Sequence, residues 1–231
     1  MHSKSNIVAK INKTDALAAY VLRDGWFKSQ ASVTGHDLQC VAERIARQLG
    51  ELIPSRNEKH VELLAPTEES NAHPRSLSAT HGRGSFPMHT DGAHWLQPPR
   101  FVVLVCVSPG TRPVPTTLLR FRDLAVSTDE RVRLEATPFL VRNGRRSFYS
   151  TICSASRPFI RFDEGCMVPQ DTAGQEILRV VGRRSRETAF VPINWRTGDF
   201  LVLDNWNVLH GRGLSDTEAS PDRKLLRVSV Q

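Results

Sequence analysis

The chain has 231 residues, a length at which sheet-based barrels and sandwiches commonly remain one domain with a substantial core, and residues 1–231 read as such a domain. Its 31 basic residues against 24 acidic ones leave a formal charge of +7, a balance that attracts anions. Most of the basic residues are arginines dispersed from Arg23 to Arg227, and the clusters Arg142 to Arg146 and Arg183 to Arg186 lack the interleaved aromatics of a base-stacking surface. This argues against a nucleic-acid partner.

The first fifty residues read as helical, the start of an N-terminal helical region over residues 1–58 that packs on the core formed by the remaining chain. Thr14 is placed to cap a helix that Gly25 ends. A second helix has Thr34 and Asp37 at capping-box spacing. Its stripe of Leu38, Val41, Ala42, Ile45 and Leu49 runs at helical period up to Gly50 and predicts packing against the outside of a sheet. From His60 the pattern shifts to short extended runs, at Val61 to Leu64, Ser76 to Ala79 and Phe86 to Asp91. Phe101 to Val107 has the length and β-branched content of a buried strand but is too short to span a bilayer, so no membrane partner is expected.

A short strand follows from Thr116 to Phe121, then a helix from Ser127 over residues 127–135. Strands are predicted around Phe139 to Arg142, Phe148 to Cys153 and Phe159 to Phe162, and a helix capped by Asp171 or Thr172 carries Ile177, Leu178 and Val181. Ala189 to Ile193, Phe200 to Leu203 and Leu225 to Val230 close the chain as strands. Many short strands with helices near the start and middle predict a mainly β protein with flanking helices, a double-sheet jelly roll. Cys40, Cys106, Cys153 and Cys166 form no close pair, which favours reduced, partly buried thiols over a zinc knuckle. Met1-His2-Ser3-Lys4 leads into no signal-like apolar core, so a cytoplasmic location is expected.

The chemistry concentrates at Phe86-Pro87-Met88-His89-Thr90-Asp91. Residues two apart on an extended segment project to one face, so His89 and Asp91 can offer an imidazole and a carboxylate to the same metal. His210, in Leu203-Asp204-Asn205-Trp206-Asn207-Val208-Leu209-His210-Gly211-Arg212, is the best third donor. Two histidines and one carboxylate on one face of a metal form the facial triad of non-haem Fe(II) oxygenases.

In this order, His89-Thr90-Asp91, Pro98-Pro99 before a hydrophobic strand, Gly198-Asp199, Asp204-Asn205 ahead of His210 and then two arginines four apart resemble the taurine dioxygenase-like family of Fe(II)/2-oxoglutarate oxygenases. The resemblance covers residues 76–231. It implies a double-stranded β-helix of cupin-like type, with Fe(II) held by His89, Asp91 and His210 as the catalytic centre, and with 2-oxoglutarate and O2 as cosubstrates. Arg223 resembles the arginine that grips the far carboxylate of 2-oxoglutarate, for which a planar fork of donors is suited, while Arg212 competes for the role. Thr116 matches the threonine on the same carboxylate. Thr117, one step off, points to the opposite face.

Arg227 resembles the position that in some members holds the substrate's anionic group, and Arg161, His94, His81 and Trp95 are candidates to line the substrate pocket. Halogenating members replace the metal carboxylate by a small residue, so the presence of Asp91 implies hydroxylation or desaturation. The expected substrate is small and zwitterionic or anionic, a free amino acid or natural-product intermediate, and a homo-oligomer is compatible with the sequence. A nucleic-acid demethylase of the same chemistry and a non-catalytic β-helix protein that binds a metal or ligand are the alternatives.

Overall fold

The computed structural model describes residues 14–32, 37–55, 58–73, 76–213 and 218–231. In chain order its elements are α1 (Thr14–Asp24), β1 (Trp26–Gln30), α2 (Asp37–Arg47), β2 (Leu52–Ile53), β3 (Glu62–Leu64), α3 (Ser78–His81), β4 (Phe86–His89), β5 (Phe101–Ser108) and β6 (Thr116–Arg120). After these come α4 (Thr128–Ala136), β7 (Phe139–Val141), β8 (Phe148–Ser150), β9 (Met167–Pro169), α5 (Thr172–Glu187), β10 (Val191–Ile193), β11 (Asp199–Asp204), β12 (Val208–Arg212) and β13 (Lys224–Val230).

Two antiparallel sheets face each other. The larger runs β1-β11-β5-β13-β2, with β3 also on β13, and the smaller runs β10-β6-β12-β4. Alternation along the strands builds three apolar layers from these two sheets. Val102, Leu104 and Cys106 of β5 and Leu201 and Leu203 of β11 meet Leu118 and Val208 of the smaller sheet between the layers. The opposite faces of the same strands, with Val103, Val105 and Val202, pack under α1 and α2 through Leu17, Val21, Leu38 and Val41. On the far side of the smaller sheet, Leu119 and Leu209 pack on Leu134 of α4, Ile177 and Val181 of α5, and the three-stranded sheet β8-β7-β9. The fold is thus the mainly β jelly roll with flanking helices that the strand pattern predicts. Among the described residues no helix is long and apolar enough to cross a membrane.

The N-terminal region departs from its expected all-helical character. Gly25 takes φ +91°, donates to the Val21 carbonyl at 2.7 Å and ends α1. The chain then reverses into β1, whose backbone pairs with β11 and supplies the edge strand of the large sheet. The expected strand at Ser76 to Ala79 is instead the helical turn α3, whose backbone groups are satisfied locally by bonds such as His81 to Leu77. Phe159 to Phe162 is extended without joining a ladder, because its backbone bonds go singly to Thr90, Ile152 and Trp206. The capping of α2 by Thr34 lies outside the described residues. Ser127 and Glu130 form a reciprocal capping box on α4, and Asp171 caps α5 through the Gly174 amide. All four cysteines are free, with Cys106, Cys153 and Cys166 buried and Cys40 exposed.

Gly211 sits where β12 meets β4. A β-carbon there would lie 2.6 Å from the Phe86 carbonyl oxygen and 2.9 Å from the Thr117 hydroxyl, so glycine is what allows the two strands to approach. Gly211→Ala is expected to push β4 away and cost about 1–3 kcal/mol, read from the denaturant midpoint. A variant as stable as the parent would show that the strands do not depend on this contact.

Candidate functional site

Antiparallel pairing of β4 with β12 sets His89 directly opposite His210, and a register shift follows between His210 and Arg212. Directly opposed residues share a face, so the imidazoles meet with ring centroids 4.4 Å apart. The Nδ1 of His89 lies 3.0 Å from the Pro87 carbonyl, which can only accept; in the neutral ring this leaves the lone pair on Nε2. His210 is buried and its Nδ1 has no hydrogen-bond partner. Burial, with His89 adding to it, drives the His210 pKa down to about 3, so this imidazole is neutral and able to ligate.

Asp91 lies just past the end of β4, in a turn rather than in the strand. Its placement therefore comes from contacts outside the ladder. The side chain of Asn205 accepts from the Asp91 amide at 2.9 Å and donates to its carbonyl at 3.0 Å, and also donates to the Pro99 carbonyl at 2.9 Å. The carboxylate faces Arg227, whose Nη1 is 2.8 Å from Oδ1 and 2.9 Å from Oδ2. Burial raises the Asp91 pKa, but Arg227, His210 and His89 outweigh it and hold the carboxyl below its ordinary value. Asp91 is accordingly ionised at neutral pH.

These side chains line one cavity of about 330 Å³ with Thr116, Arg223, Arg227, His94, Arg212 and Asp163. Arg223 is buried with an unpartnered Nε, and desolvation lowers its pKa only to about 10, which keeps the guanidinium charged. Arg212 lines the same cavity, but its guanidinium is spent on the Gly82 and Gly84 carbonyls and lies over the Phe86 ring. Of the two arginines weighed for an anion, Arg223 is the one with a buried donor left unpaired. The Thr116 hydroxyl accepts from the Trp195 indole at 3.0 Å, leaving its own proton to donate. The Thr117 hydroxyl turns the other way, to the Met88 sulfur.

One expectation needs correction. Arg161 is not in the cavity: it is 1% exposed, and its guanidinium donates to the Ala93, Trp95 and Leu96 carbonyls and to the Ser150 hydroxyl. Its buried charge clamps the loop after Asp91. Arg227 does line the cavity, but its Nε and Nη2 are bonded to Glu62 at 3.1 and 2.6 Å while Nη1 serves Asp91, so both edges of its fork are committed to protein carboxylates. His81 sits in a separate cavity with Phe86 and Met88, and Trp95 lines a cavity adjoining the site at Asp91, His94 and Arg227. Glu62 and Asp163 are the residues that sequence reasoning passes over. The only signal for Glu62 is an acidic residue within the apolar run Val61 to Leu64.

Among the described residues no three His, Cys, Asp or Glu side chains already converge on a point where a metal ion would sit. The donors nevertheless fit an iron-type site in kind: a neutral imidazole with an orphaned buried nitrogen, a second with its lone pair fixed on Nε2, and an ionised carboxylate. A carboxylate has lone pairs for both an arginine and a metal, so Arg227 does not exhaust Asp91.

No family model matches the chain, and no curated protein matches it. Solved structures do. Asparagine oxygenase in complex with Fe(II), 2S,3S-3-hydroxyasparagine and succinate is 19% identical with a TM-score of 0.72, over 94% of this chain and 78% of that one. Non-haem iron oxygenase OrfP in complex with Fe and α-ketoglutaric acid is 18% identical with a TM-score of 0.73, over 94% and 78%. OrfP with Fe, succinate and (3S)-hydroxy-L-Arg gives 18% and 0.72, over 94% and 80%. The chain has the fold of these oxygenases.

Arg161→Met leaves three backbone carbonyls without their donor and is expected to cost about 2–4 kcal/mol in urea unfolding. A stable Met variant with only weakened substrate binding would return Arg161 to the substrate contacts.

Proposed function

We propose that this chain is an Fe(II)- and 2-oxoglutarate-dependent dioxygenase of the taurine dioxygenase-like group that hydroxylates a C–H bond of a small molecule, a free amino acid or a related zwitterionic natural-product intermediate. The observation that carries the reading is the cross-strand pair His89 and His210 in one cavity with the ionised Asp91 and a buried Arg223 whose Nε is unpaired. His89, Asp91 and His210 would hold the iron. Iron(II) bound there would supply the oxygen activation that couples oxidative decarboxylation of 2-oxoglutarate to substrate hydroxylation.

The remaining residues bind and orient. Arg223 answers the far carboxylate of 2-oxoglutarate with a desolvated guanidinium, and the Thr116 hydroxyl, turned by Trp195, donates to the same group. Thr116 opens β6 and Arg223 stands one residue ahead of β13, so the cosubstrate would be held where two sheet strands begin. His94 and Asp163 line the same cavity and offer polar contacts to a substrate. Support for an amino-acid substrate comes from the neighbours, whose bound ligands are hydroxyasparagine and hydroxyarginine. The clusters Arg142 to Arg146 and Arg183 to Arg186 contribute nothing to the cavity lining, so the geometry does not favour a nucleic-acid demethylase.

Anaerobic addition of Fe(II) and then 2-oxoglutarate is expected to raise the visible charge-transfer band of the chelate, and His89→Ala is expected to abolish it. A band that persists in that variant removes His89 from the ligands. Arg223→Leu is expected to raise the 2-oxoglutarate concentration needed for half the band roughly 10–100-fold, the worth of a lost charge-assisted pair. Succinate release across a panel of free amino acids then tests the substrate class; no release with any of them, beside an intact chelate band, would redirect the search to other small molecules.

A further inference from the structure

Asp91 is held at two levels, and only the first is explained by the turn it sits in. Asn205 fixes its backbone, whereas its carboxylate is fixed by a side chain from the opposite sheet. Arg227 and Glu62 are directly paired residues of β13 and β3, so ladder geometry places Glu62 beside the guanidinium. With Nε and Nη2 on Glu62, the fork is pinned along one edge and presents Nη1 to Asp91. That nitrogen is 2.8 Å from one carboxylate oxygen and 2.9 Å from the other. A nitrogen nearly equidistant from both oxygens lies close to the plane that bisects them, which is where a metal chelated by both would sit.

We propose that Arg227 is a positioning residue for Asp91: by filling the bite between the two oxygens it obliges the carboxylate to bind a metal through one oxygen only. This rests on the metal site proposed above. Its consequence is a matter of counting positions on an octahedron. Two imidazoles and one oxygen leave three positions, enough for a 2-oxoacid and oxygen, whereas a chelating carboxylate would take one of them. Arg227 would then act through Asp91, a different role from gripping the anionic end of a substrate.

The test uses the full chain and Co(II), whose absorption reports both affinity and coordination number. Arg227→Met removes a neighbouring cation and opens the second oxygen, and both changes favour metal. Its Co(II) Kd is expected to fall roughly threefold or more, with altered d–d absorption and a weakened Fe(II)·2-oxoglutarate band. Arg227→Lys keeps the charge without the fork and is expected to fall between Met and the parent. Melting curves of the metal-free variants, with lysine as the milder change, separate loss of fold from change of ligation. Metal affinity within about twofold of the parent, an unchanged band and a raised KM for substrate alone would overturn the proposal in favour of substrate binding. A parent protein that takes up neither Co(II) nor Fe(II) would instead overturn the metal site, and this role with it.

Discussion

The pairing of β4 with β12 is the constraint on which the site depends. It is one antiparallel contact, yet it brings together two imidazoles separated by more than half the length of the chain and sets them on one face. Everything that keeps these strands close serves the site. Gly211 lets the backbones approach, and Arg212 ties β12 to the segment leading into β4 through the Gly82 and Gly84 carbonyls. Leu209 and Met88 anchor the outer face of the same two strands in the apolar layer under α4 and α5. An arginine that looks, in sequence, like a competitor for the cosubstrate is thus a structural strut two residues from a metal-ligand candidate.

Charge in and around the cavity is arranged by contrast between spent and unspent donors. Arg161, Arg212 and Arg223 are all buried, and desolvation lowers the pKa of each to about 10, well above neutrality. Two of the three give their hydrogen bonds to backbone carbonyls, which neutralises nothing but fixes loops. Only Arg223 keeps a buried donor unpaired, the arrangement expected of a group built for an anion that arrives from outside. Arg227 differs again: burial lowers its pKa, but Asp91 and Glu62 more than offset this, and its net shift is upward.

Much of this is legible in the sequence where periodicity or motif carries it. The β5 run, the capped helices α4 and α5 and the late strand β13 follow from local patterns, and the His-x-Asp pair and the late histidine stand in motif order. Strand β1 is not legible, because Trp26–Gln30 has no apolar alternation strong enough to compete with the helices around it and becomes a strand only through its partner β11. Strand β12 is hidden in a different way, since Gly211 and the preceding Asp204-Asn205 turn read as loop. The roles of individual arginines are illegible for a plainer reason. Sequence shows a donor, but whether that donor meets a carbonyl, a carboxylate or open space depends on which distant segment is folded against it.

The clamp that Arg161 places on the loop after Asp91 reaches only main-chain oxygens, at Ala93, Trp95 and Leu96. Asn205 and Trp206 likewise grip the main chain at Asp91, Pro98 and Pro99. None of these holds asks anything of the side chains that the loop displays. A residue such as Leu96, largely exposed, can therefore be exchanged by mutation while the peptide path stays where it is, so this segment is one where a lineage could try new preferences without first risking the centre beside it.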